Sequence, residues 1–221
     1  ELADVATTAV AADGGYRLDG EKTVVINGGS ADKFIVSART SGGQFDHQGV
    51  SLFMVDARAD GVSIKSYKTM DGQRAATVTL ANVVVPEDQL LNAVGEGMDL
   101  VDQVMPSMLM ALSAEALGIM ATLNSITVDY SKTRQQFGSP IGSFQVLQHR
   151  MVDTFMACEQ AKSMLYRSLC QANECAADAS LDKGELLKSV HALKATMAKA
   201  GKQIGEEAIQ LHGGIGLTDE L

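Results

Sequence analysis

Two clusters in this chain carry residues able to hold an anionic, partly planar ligand. The first runs Arg134-Gln-Gln-Phe137-Gly-Ser-Pro-Ile-Gly-Ser-Phe-Gln145. An arginine at a helix end, followed by a Gly/Pro loop, can present its guanidinium fork to a phosphate, and a nearby aromatic can pack on a planar ring. The second runs Gln210-Leu211-His212-Gly213-Gly214-Ile-Gly216. Adjacent glycines beside a helix end let backbone N–H groups approach a ligand closely. Each cluster also has an ordinary reading. A solvated arginine and a core phenylalanine would join two helices, and a GG pair is a common helix C-cap. Spacing alone leaves both readings open.

Other reactive side chains offer less. Glu115, Asp153, Glu159, Glu206 and Glu207 read as helix-face or inter-helix charges, and His149 and His191 have no ligand-spaced neighbours, so no metal site is expected. Asp219 and Glu220 read as part of a turn after the glycine cluster. Cys158, Cys170 and Cys175 are an odd number without metal-like spacing; Cys158 and Cys170 fit helical patterns as small core or boundary residues of a reducing compartment.

Two halves with different periods must position these clusters. Residues 1–92 read as β: runs rich in Val, Ile and Thr are separated by Gly, Asp and Ser, with turn signals at Asp13-Gly14 and Asp19-Gly20. A sandwich or barrel follows. Residues 93–221 read as three long helices in a four-helix-type bundle, giving an α+β chain. The first helix contains Pro106, as a kink or a first-turn residue. The second has Ser143 as its N-cap and an apolar stripe of Leu147, Met151, Phe155, Cys158, Leu165 and Leu169. Leu186, Val190, Leu193, Met197, Ile204 and Ala208 form the inward face of the third, and Gln171–Asp182 is a connection.

Bulk properties narrow the class. At 221 residues and 46% hydrophobic, the chain can bury a real core. A net charge of −9 argues against nucleic acid or an anionic membrane as main partner. No apolar run approaches the about 20 residues of a membrane span, so a cytoplasmic protein is expected. The chain opens at Glu1 without methionine and reads as an internal fragment.

Taken whole, the Arg134–Gln145 and Gln210–Gly216 strings resemble two flavin-contacting motifs of the acyl-CoA dehydrogenase family. The β half agrees: Asp19-Gly-Glu-Lys-Thr-Val-Val-Ile-Asn-Gly-Gly-Ser-Ala-Asp32 is similar to that family's "NGxKxWITNGxxAD" segment, and Asn82-Val-Val-Val-Pro86 to its "xxVxVP" end. The resemblance covers almost the whole chain. It implies FAD as cofactor and an acyl-CoA as substrate, with Arg134 on the FAD pyrophosphate and Gln145 beside it. Phe137 and Gln210, Leu211, His212, Gly213 and Gly214 would complete a site shared across a subunit interface. It also implies that an N-terminal helical domain, the first strands and a last helix lie outside this fragment.

The pattern breaks in two places. Where the family has the tryptophan and threonine of "WIT", this chain has Val24 and Ile26, and an isoleucine offers the flavin edge no donor or acceptor. Where some relatives carry the catalytic glutamate on the first bundle helix, this chain has Met108, so no catalytic residue is assigned within it. Two functions follow. In one, the chain is a subunit, closest to the small subunit of pimeloyl-CoA-type dehydrogenases, that completes the FAD site of a heteromer. In the other it belongs to a self-sufficient homo-oligomer whose glutamate lies beyond Leu221. Either implies a tetramer or heterotetramer passing electrons to an electron-transfer flavoprotein, in lipid or steroid degradation.

Overall fold

The computed structural model describes residues 2–178 and 183–218, so the expected turn at Asp219 and Glu220 lies outside the described residues. The chain forms two compact units, residues 1–103 and 104–221.

The first unit is one six-stranded mixed sheet of β1 (Thr8–Ala12), β2 (Gly15–Ile26), β3 (Lys33–Arg39), β4 (Val50–Asp56), β5 (Val62–Lys68) and β6 (Arg74–Pro86), in the order β4-β3-β1-β2-β6-β5. Only β1 and β3 pair parallel. Period-2 patterning builds its core. Phe34, Val36 and Ala38 point inward from β3 while Ile35 stays exposed, and they meet Leu18, Phe53, Val55, Val78 and Leu80.

The turn signal at Asp13-Gly14 closes the β1–β2 hairpin, with Gly14 at φ +75°. Asp19-Gly20 does not turn: β2 runs straight through it. It faces a bulge instead. Leu18 pairs Val83 and Gly20 pairs Leu80, so Asp19 opposes both Ala81 and Asn82, and its carboxylate accepts the Asn82 N–H at 2.7 Å. That extra residue shifts the inward phase of β6 from Ala76, Val78 and Leu80 to Val83 and Val85. Gly20 is required there, because a Cβ would strike Thr7.

Arg39 holds the β3–β4 loop. Its buried guanidinium donates to four carbonyl oxygens, those of Asp46 and Gln48 at 2.8 Å, Ala3 at 2.8 Å and Gln44 at 2.7 Å.

The second unit holds α2 (Gln145–Ala177), α3 (Lys183–His212) and most of α1 (Gly97–Thr133). The start of α1 belongs to the first unit, where Met98 packs on Val5 and Val50. Pro106 lies inside α1 and not in its first turn. The α3 face is as expected: Val190, Leu193, Met197, Ile204 and Ala208 are buried. The α2 face is not. Its buried set is Thr154, Cys158, Ala161, Leu165 and Ser168, while Phe155 and Leu169 are exposed. The spacing is helical, but small and weakly polar residues fill it, with Ser168 and Ser189 hydrogen-bonded at 2.9 Å in the seam with α3. A reading by hydrophobicity passes over such residues. Ser143 is not the N-cap of α2. It sits in a short 3₁₀ turn and its hydroxyl donates to Pro140 O at 2.7 Å, so Phe144 takes the cap position.

One expectation about α1 needs correction. By length and composition it is apolar enough to cross a membrane, because polar interruptions such as Ser113 and Glu115 break the run without lowering the average enough. Val104, Met108, Leu112, Ile119 and Ile126 stand exposed along one stripe of it.

Candidate functional site

The two sequence clusters meet in the second unit. Arg134 ends α1: its N–H donates to Tyr130 O, and its own carbonyl accepts the Ile141 N–H, both at 2.8 Å. Between those bonds the chain makes a miniature hairpin of β7 (Gln135–Gln136) and β8 (Ser139–Pro140). Its two tip residues, Phe137 and Gly138, have φ of +55° and +83°, the primed-turn geometry that matches strand twist. Glycine adopts this freely. Phenylalanine does so under strain, and Phe137 is 94% exposed with its ring edge-on to Phe144 at 6.2 Å.

The other wall comes from the end of α3. Leu211 and His212 are buried, Gly213 turns left-handed at φ +65°, and a 3₁₀ turn over Gly213–Leu217 follows. A cavity of about 480 Å³ lies between these segments, lined by Arg134, Leu211, His212, Gly213 and Gly214 of the expected set. Phe137, Gln145 and Gln210 do not line it; all three are exposed on the surface.

Tyr130, Gln136, Ile141 and Ile215 also line the cavity and were not foreseen. Tyr130 had a usable signal, since it precedes Arg134 by four residues and so shares its helix face. Its ring stacks on His212 with centroids 4.4 Å apart. His212 Nδ1 bonds Ala208 O at 2.8 Å, which leaves Nε2 buried and without a partner among the described residues. Arg150 and Glu207 tie α2 to α3 nearby through two bonds of 2.6 and 3.0 Å, a pairing that raises the arginine pKa.

This set fits a phosphate-bearing ligand. The Arg134 guanidinium has no partner among the described residues, and a Cβ built on Gly213 or Gly214 would meet open space. The volume is that of a small-molecule site. Elsewhere, Met108, which the family resemblance sets at a base position, has an apolar, 47% exposed side chain. Glu115, His149 and His191 are exposed, and no metal-like cluster occurs among the described residues. In the first unit, Val24 and Ile26 are 57% and 56% exposed. Val24 sits in a second bulge at φ +52°, and its N–H donates to Tyr67 Oη at 3.2 Å.

Comparison with known proteins agrees with this geometry. Residues 95–221 match the acyl-CoA dehydrogenase C-terminal domain and residues 1–83 the middle domain. The chain belongs to the acyl-CoA dehydrogenase family. It is 29% identical to a short-chain-specific acyl-CoA dehydrogenase of Megasphaera elsdenii over 94% of this chain and 53% of that protein. A solved structure of PigA with FAD and proline superposes with a TM-score of 0.88 at 28% identity, covering 99% of this chain and 55% of that one. The ChsE4–ChsE5 complex from Mycobacterium tuberculosis matches with a TM-score of 0.79 at 27% identity, over 96% and 53%. The chain thus spans about half the length of the relatives it matches. Solved neighbours of this fold include FAD complexes of PigA and an FAD-dependent dehydrogenase.

Proposed function

We propose that this chain is the subunit that completes the FAD site of a heteromeric acyl-CoA dehydrogenase. The observation that carries the reading is the contrast between its two halves. The cavity at Arg134 and Gly213-Gly214 keeps a guanidinium without a partner among the described residues and an open glycine turn. On the β2 strand the aliphatic Val24 and Ile26 offer no side-chain hydrogen bond, and Tyr67 already occupies the Val24 N–H. Arg134 would hold a phosphate of the dinucleotide and the glycine turn would let it approach. The exposed Phe137, Gln145 and Gln210 would face the part of the cofactor borne by a sister chain. When bound, FAD supplies the acceptor for the hydride lost from the acyl β-carbon.

A carboxylate suits removal of the α-proton, because burial can tune such a base toward neutral pH. Met108 cannot take it. The sister chain supplies that base in this reading, together with the acyl-CoA pocket and the docking face for an electron-transfer flavoprotein. The heteromeric ChsE4–ChsE5 neighbour supports such an assembly. The exposed stripe of α1 then packs against protein within a cytoplasmic oligomer instead of against lipid.

Purifying the complete polypeptide alone and with its genetic neighbour tests this. Colourless protein alone and yellow protein in the complex is the expected result. A full complement of flavin on the polypeptide alone would overturn it in favour of a self-sufficient enzyme.

A further inference from the structure

We propose that Tyr130 is a positioning residue: stacked on His212, it sets Arg134 against the Gly213-Gly214 turn. This rests on reading the cavity as a dinucleotide-phosphate site. The argument starts from what each bond can fix. Tyr130 stands one turn before Arg134 on α1, and its carbonyl receives the Arg134 N–H at 2.8 Å. Its side chain meets the other motif twice. The ring lies on the His212 imidazole at 4.4 Å with the planes 31° apart, and the hydroxyl donates to His212 O at 3.4 Å. One residue therefore touches both the backbone that launches Arg134 and the residue from which the glycine turn departs.

His212 is built to receive that contact. It is 5% exposed, and the Ala208 carbonyl can only accept, so Nδ1 carries the proton and fixes the ring plane. Nε2 has no partner among the described residues. The ring contact of the imidazole is with Tyr130, whose ring lies against one face of it. Immediately beyond, Gly213 takes φ +65°, so the direction of the turn is set by a residue clamped on both sides. Without the stack, α1 and the α3 end keep their own helical bonds, but the guanidinium and the turn lose a common reference.

A double-mutant cycle decides this, measured as FAD affinity by flavin fluorescence on the complete polypeptide in its FAD-binding assembly, with melting temperature alongside. Tyr130→Leu is expected to weaken FAD binding about tenfold, and Tyr130→Phe, which keeps the stack, by no more than about threefold. In an Arg134→Ala background, Tyr130→Leu should cost less than about twofold more, because both changes act on one contact. His212→Asn, which removes the ring face, should show the same coupling and decides the matter if Tyr130→Leu fails to fold. An undiminished effect in the Arg134→Ala background, or unchanged FAD affinity in Tyr130→Leu and His212→Asn, would overturn the positioning role. Unchanged affinity in Arg134→Ala alone would instead overturn the phosphate-site reading beneath it.

Discussion

At the scale of single residues, the chain holds side chains in conformations or environments that cost stability. Phe137 is a non-glycine residue at the tip of a primed turn, almost wholly exposed, so neither burial nor a relaxed backbone accounts for it. Retention at such a position is explained if the ring contacts a ligand. Phe137→Gly is therefore expected to stabilise the fold by about 1 kcal/mol in urea unfolding, while lowering FAD retention. Gain in both properties would remove Phe137 from the site. Lys22 presents a related case in the first unit. Its ammonium donates to Ser37 Oγ at 3.1 Å, and burial lowers its pKa from the ordinary 10.5. The unfolded chain then binds that proton more tightly than the folded one, so stability rises with pH through the interval below 10.5. Lys22→Met should raise the melting temperature at neutral pH, and the advantage should shrink as pH climbs toward 10.5. A pH-independent difference would contradict burial as the cause.

At the scale of elements, loops do more of the positioning than their composition suggests. The β3–β4 loop is organised by the Arg39 fork, which satisfies four carbonyls at once. Arg39→Met would leave those acceptors without their donor and is expected to cost about 2–4 kcal/mol, read from urea denaturation. A cost under about 0.5 kcal/mol, the size of an ordinary surface change, would show that water replaces the fork. Sequence reading found the β-then-α order, the α3 face and the hairpin at Asp13-Gly14 because each has a clear period or turn residue. It missed β1, whose Thr8–Ala12 segment is alanine-rich and short, and it mistook Asp19-Gly20 for a turn. Local chemistry is the same in a turn and opposite a bulge; only the partner strand, more than sixty positions away in the Asp19–Asn82 bond, distinguishes them. On α2 the expected Cys158 and Leu165 are buried, but Ala161, Thr154 and Ser168 escaped notice because they are buried for their size and not for their hydrophobicity. In the site, Arg134 and Leu211–Gly214 were legible as motifs, whereas Tyr130 offered only its spacing to Arg134 on one helix face; its contact with His212, at a helix end far along the chain, has no local signal.

At the scale of the molecule, family membership fixes the fold and the cofactor class, while function depends on which residues of the fold remain. The cavity between the end of α1 and the end of α3 keeps the groups that a phosphate needs. In the proposed reading Met108 stands where a base would be needed, and Val24 and Ile26 stand where the sheet would face the flavin. That asymmetry is the ground for reading the chain as half of a shared site. The most direct measurement is the flavin content of the complex between the complete polypeptide and its sister chain, with Arg134→Ala placed in this subunit alone. Arg134 has no structural partner among the described residues, so assembly should survive, as seen by size-exclusion chromatography, while the flavin-to-complex ratio falls severalfold, the loss of a charge-assisted pair being worth about 1.5–3 kcal/mol. An intact complex that retains its full flavin would contradict the account.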